Sequence, residues 1–273
     1  MAKDILQLYP DCGQRHQLQG LYLEQIPRNP AKPFIYSNFI ASLDGRIALP
    51  ASDRDSHQVP PAIANARDWR LFQELAAQAD LLISSARYFR QALASEAQAE
   101  LPLGQDRAFD DLRSWRRQQG LPAQPDIAVF SASLDIPPRA LAAYRDRRVL
   151  ILTGAQSDTA RRTALEALEG VEVLSCGEGR EVDAAPLKAL LAQRGYRRIY
   201  AIAGSSVLHT LAAAGALDRL YLTTAHCLLG GKRFDTLAWG PVLEKTPALP
   251  LRALYLDTKA PEGAGQTLGV YGQ

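Results

Sequence analysis

"AIAGSSVLHTLAAAGALD", residues 201–218, runs from an apolar strand through a glycine into a helix. Gly204 permits the tight turn, Ser205 or Ser206 can cap the helix, and Val207, Leu208 and Leu211 form an apolar face that anchors it to a sheet. Gly215 supplies the stop. The first N–H groups of such a helix lack internal partners and carry the positive end of its dipole. The turn is therefore either an ordinary helix start or a cradle for a phosphate group, and the stretch by itself leaves both open.

Working outward, "RRIYAIAG" (197–204) reads as the strand before this helix and "LDRLYLTTAHCLL" (217–229) as a long strand after it. Upstream, "FIYSNFIA" (34–41) has the β-branched and aromatic content of a buried strand. It is followed by a helix over 61–79 with Pro61 in its first turn. Then come a strand at 80–84, helices at 86–100 and 106–120, and strands at 126–132, 148–154 and 171–177. Helices at about 158–169 and 184–195 separate the later strands. "LRALYLD" (251–257) and "QTLGVYG" (266–272) form an antiparallel pair across a glycine-rich loop. This alternation predicts an α/β fold, a mostly parallel mixed sheet flanked by helices with antiparallel C-terminal strands. Residues 1–33, polar and punctuated by prolines, read as an arm packed on one domain spanning 34–273.

Composition narrows the function. Of 273 residues, 47% are hydrophobic and 22% charged, enough apolar content to build a core without metals or disulfides. A formal net charge of +2 argues against nucleic-acid or membrane partners. The basic runs 113–117 and 145–148 interleave with acids and read as solvated helix faces. Cys12, Cys176 and Cys227 make no C-x-x-C pair, which suits reduced thiols in the cytoplasm. No secretory leader or membrane-span pattern is legible.

Motif searches remove further classes. There is no Walker-type phosphate loop, no zinc-deaminase signature and no G-x-S-x-G elbow. "GEGREV" (177–182) imitates a dinucleotide fingerprint but places Val182 where the third glycine belongs. His16, His57, His209 and His226 have no metal-ligand spacing, so no metal is expected. In "IASLDGRIAL" (40–49), Asp-Gly between apolar runs signals a turn. The alternative places Ser42 and Asp44 at a strand end facing a cleft.

"NFIASLDGRIA", "ADLLISSARYFRQ", "DIAVFSASLDIPPRA", "RVLILTG" and "IAGSSVLHTLAAAGALDRLYLTTAHCLLGG" occur in the order of one family. In that order the chain resembles the riboflavin-biosynthesis pyrimidine reductases, the C-terminal domain of the bifunctional deaminase–reductase, whose fold is dihydrofolate-reductase-like. The resemblance spans about 34–272, and the "LQLYPD" arm is similar to that of stand-alone members. It implies a homodimeric, NADPH-dependent reductase acting on a ribosylaminopyrimidine phosphate. It also implies that Ala203, Gly204, Ser205, Ser206 and Val207 hold the cofactor's pyrophosphate. By the same resemblance Ser84, Arg87, Ser131 and Ser133 flank the adenosine side. Ala41, Ser42 and Asp44 line the nicotinamide and substrate cleft, and Asn38 and Asp44 are the catalytic candidates, Asp44 as a proton relay.

Several family positions differ. Asn38 stands where the family carries a lysine, Ile202-Ala203-Gly204 where it writes Glu-Gly-Gly, Arg87 for a threonine and Gln91 for an acid. Without gaps, Leu75 replaces an arginine. Charged groups that would grip a phosphorylated aminopyrimidine are thus absent. Two further expectations stand beside the first: a reductase with another substrate such as a pterin, and a non-catalytic nucleotide-binding protein of the same fold.

Overall fold

The computed structural model describes residues 3–52, 56–96 and 101–273. In chain order, the N-terminal segment holds β1 (Ile5–Tyr9) and β2 (Arg15–His16), then β3 (Phe34–Ser42) and the short pair β4 (Leu49–Pro50) and β5 (His57–Gln58). Next come α1 (Ala66–Gln78), β6 (Leu81–Ser85), α2 (Ala86–Leu93), α3 (Asp110–Gln118), β7 (Asp126–Phe130) and α4 (Pro138–Leu141). The chain continues through β8 (Val149–Thr153), α5 (Thr159–Glu166), β9 (Val171–Ser175), α6 (Leu187–Gln193), β10 (Arg198–Ala201) and α7 (Ser205–Ala213). It ends with β11 (Arg219–Ala225), β12 (Leu251–Asp257) and β13 (Gln266–Gly272).

Eleven strands form one sheet in the order β2-β1-β12-β13-β11-β3-β10-β6-β7-β8-β9. From β11 to β9 every neighbouring pair is parallel, and from β11 to β2 every pair is antiparallel. This is the mixed, mostly parallel α/β sheet with antiparallel C-terminal strands that the residue pattern predicts. Its parallel strands are apolar on both faces, as helices on both sides require. Tyr36, Leu82, Ile127, Val129 and Ile151 pack with Leu71 and Leu75 of α1 and Phe89 of α2. Their alternate neighbours Ile35, Leu81, Ile83, Leu150 and Leu152 pack with Leu191 of α6 and Val207 and Leu211 of α7. The first 33 residues add β1 to the sheet edge and Tyr22 and Ile26 to the first of these cores.

The differences from expectation have local causes. The first helix begins at Ala66, five residues past Pro61. Asn65 Oδ1 accepts from the amides of Arg67 (3.1 Å) and Asp68 (2.9 Å), while residues 60–64 close a separate turn on the Pro60 carbonyl. Neither Ser205 nor Ser206 caps α7. Gly204 is the N-cap, and no side chain bonds to the first turn. Gly215 does stop that helix, at φ +61°. The strand expected over 217–229 ends at Ala225, and the helix expected over 86–100 ends at Leu93; residues 97–100 lie outside the described residues. The basic runs are not wholly solvated either. Arg116 is fully buried and donates to the carbonyls of Ala77 (2.9 Å) and Ala79 (2.7 Å), closing the C-terminus of α1. Arg147 is buried against the Pro102 carbonyl at 3.0 Å.

Candidate functional site

The strand order fixes where a ligand can sit. β10 is inserted between β3 and β6, with later strands leading away on both sides. In open α/β sheets the crevice outside the carboxyl ends at such a reversal is the place left uncovered. A cleft of about 1440 Å³ lies there, lined by the ends of β3, β6, β7 and β10 and by the starts of α1, α2 and α7. That volume exceeds the ~300–1,000 Å³ of ordinary small-molecule sites, so it has room for two reactants.

Three helices begin on this cleft, and they differ in how their first turns are satisfied. α1 is closed by the Asn65 side chain. α2, whose N-cap is Ser85, and α7, whose N-cap is Gly204, have no side-chain cap. The amides of Ser205 and Ser206 find no acceptor among the described residues. Gly204 is exposed, and a Cβ there would have open space around it. Into the same cleft, beside β6, the loop after β7 brings Ser131, which is 5% exposed and whose hydroxyl has no partner. Arg87, in the first turn of α2, is exposed and makes no hydrogen bond or ion pair with the described residues. Amide donors, a buried orphan hydroxyl and an uncommitted guanidinium are the groups that hold anionic oxygens.

Of the residues singled out from sequence, Asn38, Ser84, Arg87, Ser131, Ser133, Ala203, Gly204, Ser205, Ser206 and Val207 all line this one cleft. Ala41, Ser42 and Asp44 do not line it. Ala41 and Ser42 are buried, 3% and 2% exposed. Ser42 through Gly45 make the turn that Asp-Gly suggests, with Gly45 at φ +77° and its amide on the Ser42 carbonyl at 2.9 Å. Asp44 turns toward the segment after β11. It accepts from the Ser42 hydroxyl, from the amides of Gly230 (2.9 Å) and Leu229 (3.2 Å), and pairs with Arg46 at 2.6 Å. These contacts, the Ser42 hydroxyl foremost, hold its carboxyl at about 2. Arg46 in turn donates to the Gly231 carbonyl and lies 4.3 Å over the Phe234 ring.

Asp44 and Arg46 therefore fasten the near end of a strap, residues 229–241, whose far part forms one side of the cleft. Asp235 is bridged to Ala48 and bonded to His57 at 2.9 Å. The Trp239 amide reaches the Ser205 carbonyl at 3.3 Å, and the Pro241 carbonyl accepts from His209 at 2.7 Å. Asp235, Trp239 and Pro241 line the cleft.

The floor holds groups that sequence reasoning passed over. Trp69 stacks on Phe72 at 4.8 Å, and Phe72 leans on Tyr200 at 5.5 Å. The Tyr200 hydroxyl donates to Asn38 Oδ1, so the oxygen of this uncharged side chain is already occupied. Beside the aromatics lies Asp68, whose carboxylate accepts from the Thr223 hydroxyl at 2.6 Å. Burial pushes its carboxyl up to about 6, against the smaller opposing effect of the Thr223 bond. The one sequence signal for it was an acid three residues after a capping Asn. That pattern equally serves the helix dipole. Among the described residues no group of three or more His, Cys, Asp or Glu is placed to hold a metal ion. No helix among them is long and apolar enough to cross a membrane.

A mostly parallel sheet packed by helices on both faces, with a cleft of about 1440 Å³ at the reversal of its strands, defines an α/β domain with a crevice large enough for a dinucleotide. The chain belongs to the RibD C-terminal domain family, whose model matches residues 33–254. Solved structures agree on the fold. A pyrimidine reductase-like protein of Corynebacterium diphtheriae superposes with TM-score 0.62 at 20% identity, covering 94% of this chain and 98% of that one. RibD of Acinetobacter baumannii gives 0.57 at 17%, covering 88% and 58%. The riboflavin biosynthesis reductase Rib7 of Saccharomyces cerevisiae gives 0.55 at 13%, covering 93% and 96%. No curated protein matches the sequence. The chain thus has the pyrimidine-reductase fold of the riboflavin pathway.

Proposed function

We propose that the chain is an NADPH-dependent reductase that reduces 5-amino-6-ribosylaminouracil 5'-phosphate, opening its sugar to a ribityl chain. The observation that carries this reading is the pair of uncapped helix starts, α2 and α7, facing one cleft that the orphaned Ser131 hydroxyl also lines. A dinucleotide's linked phosphates supply the acceptors these donors lack. On this reading the amides after Gly204 take the pyrophosphate, and Ser131, Ser84 and Ser133 take the adenosine side. Arg87 takes the 2'-phosphate that separates NADPH from NADH. The bound cofactor supplies a hydride. The chain binds and orients the two reactants and excludes water with its strap. The same reading makes the protein a cytoplasmic homodimer.

Titration of the protein with NADPH, followed by nicotinamide fluorescence, is expected to saturate. Absence of saturation at millimolar cofactor would remove the reading. Arg87→Ala is expected to weaken NADPH by about tenfold, the worth of a charge-assisted contact, while leaving NADH within about twofold. Equal losses for both cofactors would place Arg87 elsewhere.

A second reading is favoured by one observation. Where the family carries a lysine the cleft has Asn38, bonded to Tyr200, beside an aromatic floor. Such a floor suits a neutral heterocycle without a phosphate. Oxidation of NADPH with a pterin panel but not with the aminouracil phosphate would select this reading. Binding without any turnover would select a non-catalytic nucleotide-binding protein.

A further inference from the structure

The ionisable groups that line the cleft differ in what already engages them. Asp235 is bonded to His57, and His209 to the Pro241 carbonyl. Arg90 donates to the Asp135 carbonyl, and Glu181 sits exposed on the rim. Asp68 alone among the lining carboxyl groups combines an apolar setting with the absence of any cationic partner. From β11 it is faced by the Thr223 hydroxyl, and its charge is felt by Tyr22 of the N-terminal segment and Tyr200 of β10, whose hydroxyls it pushes up. The adjacent Arg67 is committed to Asp4 and Asp257. Asp44, the acid of the Ser-Leu-Asp-Gly turn, is unsuited to the same work. It lies outside the cleft with its carboxylate enclosed by four contacts.

We infer that Asp68 is the proton donor of the reaction run in this cleft, delivering its carboxyl hydrogen to the substrate nitrogen as the neighbouring carbon is reduced. The inference rests on the reductase reading above. In the step, the carbon of the ring-opened C=N bond gains a hydride with its electron pair from a reduced nicotinamide dinucleotide. The π pair moves onto nitrogen, and the O–H bond of Asp68 breaks as the N–H bond forms. The C=N bond is reduced, the dinucleotide is oxidised, and the Asp68 carboxylate is reprotonated from water. Thr223, holding one carboxylate oxygen, orients the other and tunes the proton's release. A donor in an apolar site that titrates close to the working pH is the arrangement general acid catalysis favours.

The test compares wild type, Asp68→Asn and Thr223→Val with NADPH and the aminouracil ribosyl phosphate between pH 5 and pH 8. Carbon NMR of the Asp68 carboxyl in the cofactor-free protein runs beside it. The wild-type rate is expected to fall as pH rises through about 6, matching the carboxyl titration. Asp68→Asn is expected to lose about 100-fold in kcat and its pH dependence, with NADPH affinity within about twofold. Thr223→Val, which removes a bond that favours the carboxylate, is expected to move both the carboxyl titration and the rate profile to higher pH. That shift is one a merely structural role would not produce. Wild-type turnover with an equally active Asp68→Asn, or a carboxyl that titrates near 4, overturns the inference and leaves the reductase reading standing. Wild-type protein that binds NADPH but never oxidises it overturns both.

Discussion

Gly204→Asp is expected to abolish saturable NADPH binding while leaving the fold intact or slightly firmer. The backbone at Gly204 is extended, φ −70° and ψ −171°, and a Cβ there meets nothing within 4 Å, so aspartate fits without strain. Its carboxylate is then placed as a helix cap, and the open first-turn amides of α7 become its donors. Relative to glycine that gain is a few tenths of a kcal/mol. The same carboxylate occupies the seat proposed for the pyrophosphate and repels it. At about 4 Å each charge pair is worth roughly 4 kcal/mol near a protein surface, so a loss beyond about 100-fold in affinity follows. Gly204→Ala adds bulk without charge or cap and is the control, expected to stay within about threefold of wild type because the site is open. Fluorescence titration and thermal melting of the same samples separate the outcomes. A variant that melts at or above wild type and no longer binds cofactor supports the assignment. One that binds as before would move the phosphates away from α7.

What the residues disclosed and what they hid divide along physical lines. β12 and β13 coincide with the sequence reading residue for residue, because a two-residue period bounded by proline and glycine leaves little freedom. The crossover strands β6, β7 and β8 were legible to within one or two residues at each end, since strands buried on both faces read as unbroken apolar runs. The start of α1 was misplaced because Pro61 is a good first-turn residue in isolation. What decided the boundary was Asn65, whose amide group also reaches Gln266 of β13, 201 residues away. Arg116 looked like one more charge in a basic run. Its burial depends on three carbonyls at the end of α1, those of Ala76, Ala77 and the capping Ala79, that no local pattern announces. The site shows the same split. Gly204 belongs to a turn that strand–helix alternation locates, whereas Ser131, read as part of a strand over 126–132, came only from the family resemblance; β7 in fact ends at Phe130. Asp68 and Thr223 meet across 155 residues, and only the packing of α1 on β11 brings them together.

Asp44→Ala is expected to release the strap, with tryptic cleavage at Lys232 and Arg233 accelerated by about tenfold or more. Both residues are exposed, so cutting is limited by how often the surrounding chain lets go rather than by access to the two side chains. In the intact protein Asp44 holds the amides of Leu229 and Gly230 and anchors Arg46, which reaches on to Gly231 and Phe234. Removing the carboxylate undoes that hub at its centre, while His57–Asp235 and His209–Pro241 still tether the far part of the strap. Cleavage should therefore rise at 232–233 before it rises beyond Pro241. Because Trp239 and Pro241 are part of the cleft wall, NADPH affinity is expected to fall about tenfold alongside, by loss of an ordered wall and not of a contact. The pH dependence carries a definite sign. The Asp44 carboxyl is depressed to about 2 in the folded chain, so its support is complete above its ordinary value of 3.8 and is lost only as pH falls through about 2. Hydrogen exchange at Leu229 and Gly230, corrected for its intrinsic pH dependence, should accordingly show constant protection from pH 8 to pH 5 and lose it on strong acidification. Protection that fades between pH 8 and pH 5 would mean that a group other than Asp44 holds the strap in place.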